Sequence, residues 1–240
     1  MSAPDLTELA GMLEQPAVAI AVTILAYVAA LRLQRRFPTN PALNPTLVTI
    51  LLIAGILELL GTPYEHYVRA AGFIHFMLGP AIVLLAVPLY RQTALIRASG
   101  GVIALALAIG IPVGIATAVG FAWLFGAHPE TLLSIAPKGV TTGIAIGVSK
   151  AIGGIPALTA VFVILTGIIG AVLGPATVRL LRVRDPRVVG LSMGIGSHGL
   201  GTARAFQIGE VPGAFASLGM SLNGVLTAIV LPLCVSALRA

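Results

Sequence analysis

The stretch Ser134–Ile152, SIAPKGVTTGIAIGVSKAI, decides how this chain is threaded. It is apolar enough to enter a membrane, yet it carries Pro137, Lys138, Gly139, Thr141 and Thr142 near its start. If it crosses from one face to the other, every later segment is inverted. If it enters and leaves on one side, the later segments keep the opposite sense.

Composition makes the membrane the solvent. Of 240 residues, 58% are hydrophobic and 9% charged, with a mean hydropathy of +1.04. Soluble domains carry roughly 25% charged residues, so this chain has too few to cover itself. The net charge of +6 does not describe a nucleic-acid-binding face, which needs basic residues gathered on one surface. Here they sit in short clusters between apolar runs, the pattern that orients membrane proteins.

Transmembrane helices need about 20 mostly apolar residues. Spans are expected near 16–33, 44–60, 72–90, 100–125, 155–178, 188–208 and 213–238. The fold class is therefore an all-α polytopic membrane protein, a single transmembrane domain over 1–240. It should have about seven transmembrane helices plus one re-entrant or broken segment. Residues 1–15 lack the basic start of a signal peptide and read as a short, acidic, amphipathic interfacial helix.

Arginines give direction. Arg32, Arg35 and Arg36 follow the first span, Arg91 and Arg97 the third, and Arg179, Arg182, Arg184 and Arg187 cluster further on; Arg239 lies at the end. A re-entrant 134–152 puts all of these on the cytoplasmic side, with the N-terminus and Glu65, Glu130 and Glu210 outside. A crossing 134–152 puts the four-arginine cluster outside, against the positive-inside rule, so re-entry is favoured. The segments 44–125 and 155–238 then run in opposite senses, the layout of an inverted repeat with discontinuous helices.

Three segments are interrupted at membrane depth: FMLGPAIVLLAVPLY with Pro80 and Pro88, the turn with Pro137 and Gly139, and LSMGIGSHGLGTARAF (191–206) with Gly196 and Gly201. Unpaired backbone is tolerated at that depth only inside protein or beside water. Charged side chains there are costly, so Lys138 and Arg204 either snorkel to an interface or face a cavity. His198 either bonds a carbonyl on the next helix or joins that cavity. Taken together they suit a small anion. Half-helix N-termini offer free N–H groups and partial positive charge. Lys138, Thr141 and Thr142 form one wall of this candidate site, and Ser197, His198, Gly199, Thr202 and Arg204 the other. His198 titrates near neutrality when unperturbed, which leaves proton coupling as an option.

Other chemistries fail. The G-x-G-x-x-G at Gly194, Gly196 and Gly199 lacks the strand and downstream acid of a dinucleotide site. The G-x-x-x-G pairs at 139–143, 143–147, 170–174 and 190–194 read as close helix packing. His66, His75, His128 and His198 have no metal-ligand spacing, and Ser197–His198 has no orienting acid. The lone Cys234 forms no intramolecular disulfide and reads as a buried structural thiol. No enzyme activity, cofactor or metal is expected.

PKGVTT (137–142) and SHGLGTARA (197–205), with NPTLVTI and PAIVLLAVPLY upstream, resemble the LrgB/CidB family of bacterial membrane proteins, which is related to the plastid glycolate/glycerate translocator. Lys138, Thr141 and Thr142 match the first motif; Ser197, His198, Gly199, Gly201, Thr202 and Arg204 match the second. The resemblance implies the bacterial inner membrane and either of two roles. One is transport of small organic acids such as glycolate, glycerate, pyruvate or lactate. The other is a holin- or antiholin-like control of murein hydrolases and lysis, beside a small LrgA/CidA-type partner. A homo-oligomer, as a dimer, suits a carrier of this type. Gly143 stands where the family commonly has proline, and Gly79 where it often has glutamine.

Overall fold

In the computed structural model, which describes residues 6–37 and 43–239, the described residues form helices and connecting turns, without a strand among them. Residues 1–5 of the expected interfacial segment lie outside the described residues. The chain divides into two compact units, 1–86 and 87–240.

The first unit holds α1 (Leu6–Leu13), α2 (Pro16–Arg36), α3 (Pro45–Leu60), α4 (Tyr64–Ala70) and α5 (Gly72–Leu84). Proline opens α2 and α3, where its missing N–H costs nothing. The Asn44 side chain caps α3 by accepting from the N–H groups of Thr46 and Leu47. Gly61, at φ 62, ends that helix, and the chain bends by 119° into α4. Leu13 packs into the core of Leu57, Tyr67 and Ala70, so α1 is anchored by its last turn. The hydroxyls of Thr23 and Tyr67 lie 2.6 Å apart, tying α2 to α4.

Helix α5 contains Pro80, and α6 (Ala86–Arg91) contains Pro88. The interruption falls at Leu85, beside Leu84, whose carbonyl loses its helical donor at Pro88. After α7 (Thr93–Ala98), the second unit continues with α8 (Gly100–Leu124), α9 (Pro129–Ile135) and α10 (Thr142–Ile152). It ends with α11 (Pro156–Leu180), α12 (Pro186–Ile208) and α13 (Glu210–Arg239).

Among the described residues, five helical stretches are long and apolar enough to cross a membrane, six if the bent α3–α4 pair is one span. With that pair counted, the difference from the expected seven lies in α12. His198 takes φ 40 and ψ −128, values outside any helix, and the chain doubles back there. In a straight helix Gly201 would stand about 12 Å beyond Met193; instead a Cβ at Gly201 would land on the Met193 carbonyl oxygen. Met193 and Ala205 belong to one core cluster with Ala216. The first leg, 186–197, runs parallel to α13, with Gly190 against Pro212 and Gly194 against Ala216. The second leg, 199–208, runs antiparallel to it, with Thr202 reaching Met220 and Phe206 against Gly213. Segment 188–208 is thus a helical hairpin, not the expected span.

This correction moves charges. Arg91 and Glu210, expected on opposite faces, form an ion pair of 3.8 Å. Helix α13, 30 residues and so about 45 Å long, then carries Arg239 away from the Arg179–Arg187 cluster expected to share its side.

Segment 134–152 is also a hairpin. Helix α9 ends at Ile135, residues 136–140 form a turn, and α10 has 11 residues. That is roughly 16 Å against a hydrocarbon core of about 30 Å. Buried hydroxyls hold its legs: Ser134 Oγ accepts from the Ile155 N–H at 2.7 Å, and Thr159 Oγ1 lies 2.9 Å from the Ser134 carbonyl and 2.7 Å from Ser149 Oγ. Ala136, Val148 and Ile152 pack on Leu231 of α13 with Ile115 and Val119 of α8, near the C-terminal ends of both long helices. Leu191 of the other hairpin packs on Ile103, Leu107 and Phe215, near their starts. The two hairpins enter the second unit from opposite ends.

Glycine spacing is used selectively. Gly190 and Gly194 bring α12 onto α13, and Gly170 receives Ser197. Gly143 and Gly147, expected to pack, meet nothing within 4 Å. Cys234, expected to be buried, is exposed on the protein surface.

Candidate functional site

The hairpin tips meet halfway along α13. Between them lies a cavity of roughly 80 Å³, lined by Lys138, Gly139, Ile195, Gly196, Asn223 and Thr227. One water needs about 10–15 Å³ by this measure, so there is room for a molecule of several heavy atoms. Gly110 and Gly114 of α8 form the back wall. Those glycines expose backbone to the space beside Ile111 and Ile115.

Lys138 is the charged residue on this wall. Its turn leaves the α-helix: Pro137 lacks a donor, the Lys138 N–H bonds back to the Ile135 carbonyl at 3.1 Å, and α10 restarts only after Thr141. The Thr141 side chain makes no capping bond, so the first N–H groups of α10 keep their capacity for an acceptor. The second leg of α12 begins at Gly199, at the opposing tip. The cavity therefore has a lysine on its wall, and the N-termini of α10 and of the second α12 leg follow a few residues further along the two tips. A lysine and free N–H groups attract negative charge.

Asn223 joins the two tips. Its buried side chain donates from Nδ2 to the Gly139 carbonyl at 2.9 Å and to the Ile195 carbonyl at 3.0 Å. Thr227 Oγ1 donates to Asn223 Oδ1 at 2.9 Å. The Ile195 carbonyl needs this donor because the helix ahead of it breaks at His198.

Of the residues expected to bind an anion, Lys138 lines the cavity, and Thr141 and Thr142 follow on the same tip, half-buried. Gly199 opens the second leg at the other tip. Ser197, His198 and Thr202 are buried in packing. Ser197 nests on Gly170, and Thr202 Oγ1 donates to the His198 carbonyl at 2.8 Å. The His198 ring covers Gly167, and its Nε2 lies 3.0 Å from the Val163 carbonyl. A carbonyl only accepts, so Nε2 carries the proton. Arg204 sits on the second leg and donates to Gln207 Oε1 at 2.7 Å, outside the cavity lining. Gly196 lines the cavity and Gly201 packs in the fold of α12, but the break itself falls at His198. Of the other expected breaks, Pro137 and Gly139 flank Lys138 in its turn, while Pro80 and Pro88 belong to α5 and α6.

Asn223 and Thr227 were missed by the sequence reading. The signal was present: an amide inside the apolar run GMSLNGVLTAIVLPL needs a partner at membrane depth.

Comparison with known proteins shows the family. The model of the LrgB-like family matches residues 23–237. Protein YxaC of Bacillus subtilis (strain 168) is 38% identical over 218 residues, covering 91% of this chain and 94% of its own. Protein YwbG of the same organism is 38% identical over 222 residues, covering 91% and 97%. Holin-like protein CidB of Staphylococcus aureus (strain Mu50) is 32% identical over 221 residues, covering 92% and 96%. No solved structure matches the chain. With a family match over nearly its whole length and relatives this similar, the chain is a multi-pass membrane protein of the LrgB family.

Proposed function

We propose that the protein is a secondary transporter of small organic acids, of the glycolate, glycerate, pyruvate or lactate type. The observation that carries this reading is the cavity between opposed hairpin tips, with Lys138 on its wall. Broken helices meeting at mid-membrane are how many carriers build substrate sites. The carboxylate would pair with Lys138 and the first N–H groups of α10, and a substrate hydroxyl would donate to Thr227 Oγ1, whose own proton is held by Asn223. The opposed hairpins support an inverted repeat, relating 129–180 to 186–239 rather than 44–125 to 155–238. The arginine-rich face would be cytoplasmic, in the bacterial inner membrane. The His198 Nε2–H already donates to Val163, so proton coupling through His198 would place the second proton on Nδ1.

The test is uptake of labelled glycolate, glycerate, pyruvate and lactate into proteoliposomes. Saturable uptake is expected, with apparent affinity falling about tenfold to a hundredfold in Lys138→Ala, the scale of one charge-assisted hydrogen bond of about 1.5–3 kcal/mol. Arg204→Ala should cost less, because Arg204 lies outside the cavity. No uptake of any acid would overturn the reading.

A second reading rests on the holin-like name of the staphylococcal relatives. It is a lysis regulator assembling as homo-oligomers or with a small LrgA/CidA-type partner. Leakage of large dyes without acid uptake would favour it.

A further inference from the structure

Both amide hydrogens of Asn223 are committed to carbonyls from different hairpins, and its oxygen is held by Thr227. The orientation is forced, since two carbonyl acceptors require the nitrogen to face them. Gly139 adjoins Lys138, and Ile195 is the last wall residue before Gly196. The backbone position of both cavity walls therefore depends on a single side chain from a third helix. No other side-chain hydrogen bond among those described joins the two tips.

We infer that Asn223 is the positioning residue of the anion site: it clamps the Lys138 turn and the broken end of the first α12 leg onto α13 as one body. This deepens the transport reading and rests on it for its kinetic test. Substrate contact belongs to Lys138; Asn223 acts through the backbone that carries it.

Two measurements test the inference. The first needs no transport. Hydrogen–deuterium exchange followed by mass spectrometry compares wild type with Asn223→Leu in detergent. Peptides covering 136–142 and 194–199 should both exchange at least fivefold faster in the variant, with α11 unchanged. If neither tip responds, or only one does, the clamp is overturned.

The second measurement is uptake in proteoliposomes. Asn223→Leu should raise KM for the acid tenfold or more with a smaller change in maximal rate, whereas a purely structural role would lower the maximal rate by loss of folded protein and leave KM alone. Asn223→Asp should be as poor as Asn223→Leu at pH 7.5, because a carboxylate repels both carbonyls. It should recover part of its affinity near pH 5, as protonation restores one donor. An unchanged KM in Asn223→Leu, or full affinity of Asn223→Asp at pH 7.5, would overturn the inference. If wild type transports nothing, the transport reading fails, while the exchange experiment still decides the clamp.

Discussion

Gly194 of α12 lies directly on the carbonyl of Ala216 in α13, with no room for a side chain between them. Four residues earlier Gly190 meets Pro212 in the same way. The parallel course of these two segments, and hence the hairpin, depends on that approach. Backbone cannot yield as a flexible side chain can, so Gly194→Ala should destabilise by about 1–3 kcal/mol, the usual range for overpacking. Thermal unfolding in detergent would check it, with Gly147→Ala as control, since Gly147 is helical and meets nothing within 4 Å. The control should unfold at or slightly above the wild-type temperature, because alanine is the better helix former.

His198 combines a positive φ with a hydrogen bond to Val163. The backbone conformation costs of order 1–3 kcal/mol for a residue with a Cβ, and the buried bond returns about 1 kcal/mol. His198→Ala keeps the strain and loses the bond. His198→Gly loses the bond and the strain together. The expected order of melting temperatures is therefore Gly above Ala, an inversion of the usual preference for alanine in a helix. Alanine melting above glycine would show that the fold-back is not strained at this residue.

The class and the interruptions were legible in the sequence because they rest on local chemistry: long apolar runs, prolines, and cations placed among glycines. The turn around Lys138 could be read from Pro137 and Gly139 alone. The fold-back of α12 was not, because 188–208 has the length of a span and its glycines permit either a kink or a reversal. What separates the two is which neighbour Gly190 and Gly194 touch, a tertiary fact. The same limit hid Asn223: its side chain is visible as an oddity in an apolar run, but its partners lie 84 and 28 residues away. Arg204 and His198 drew attention for their charge, and the structure gives them neighbours on their own or the adjacent helix instead of the cavity.

Asp185 caps the first leg of α12, accepting from the Arg187 N–H at 2.9 Å and pairing with its guanidinium at 2.6 Å. The side-chain hydrogen bond from Arg187, followed by its backbone one, holds the Asp185 carboxyl at about 2, below its usual 3.8. A depressed folded value stabilises above the unfolded value and is lost as pH falls through the folded one. The difference in melting temperature between wild type and Asp185→Asn should therefore be flat from pH 8 down to about 5 and shrink between pH 4 and 2. A difference that already vanishes at pH 5 would contradict the paired geometry.

The hairpin also makes a prediction about sides. Arg184 lies between α11 and α12, and Glu210 opens α13 beside Arg91, whereas His128 lies between α8 and α9, at the other end of the unit. If 188–208 folds back, positions 184 and 210 share one membrane face and 128 the other. If it crossed once, 210 would join 128. In a Cys234→Ser background, the single substitutions Arg184→Cys, Glu210→Cys and His128→Cys can be labelled in intact cells with a membrane-impermeant maleimide. Arg184→Cys and Glu210→Cys should behave alike, protected until the cells are opened if the arginine-rich face is cytoplasmic, and His128→Cys should label from outside. Glu210→Cys labelling together with His128→Cys would restore the single crossing and remove the opposed hairpins on which the proposed anion site is built.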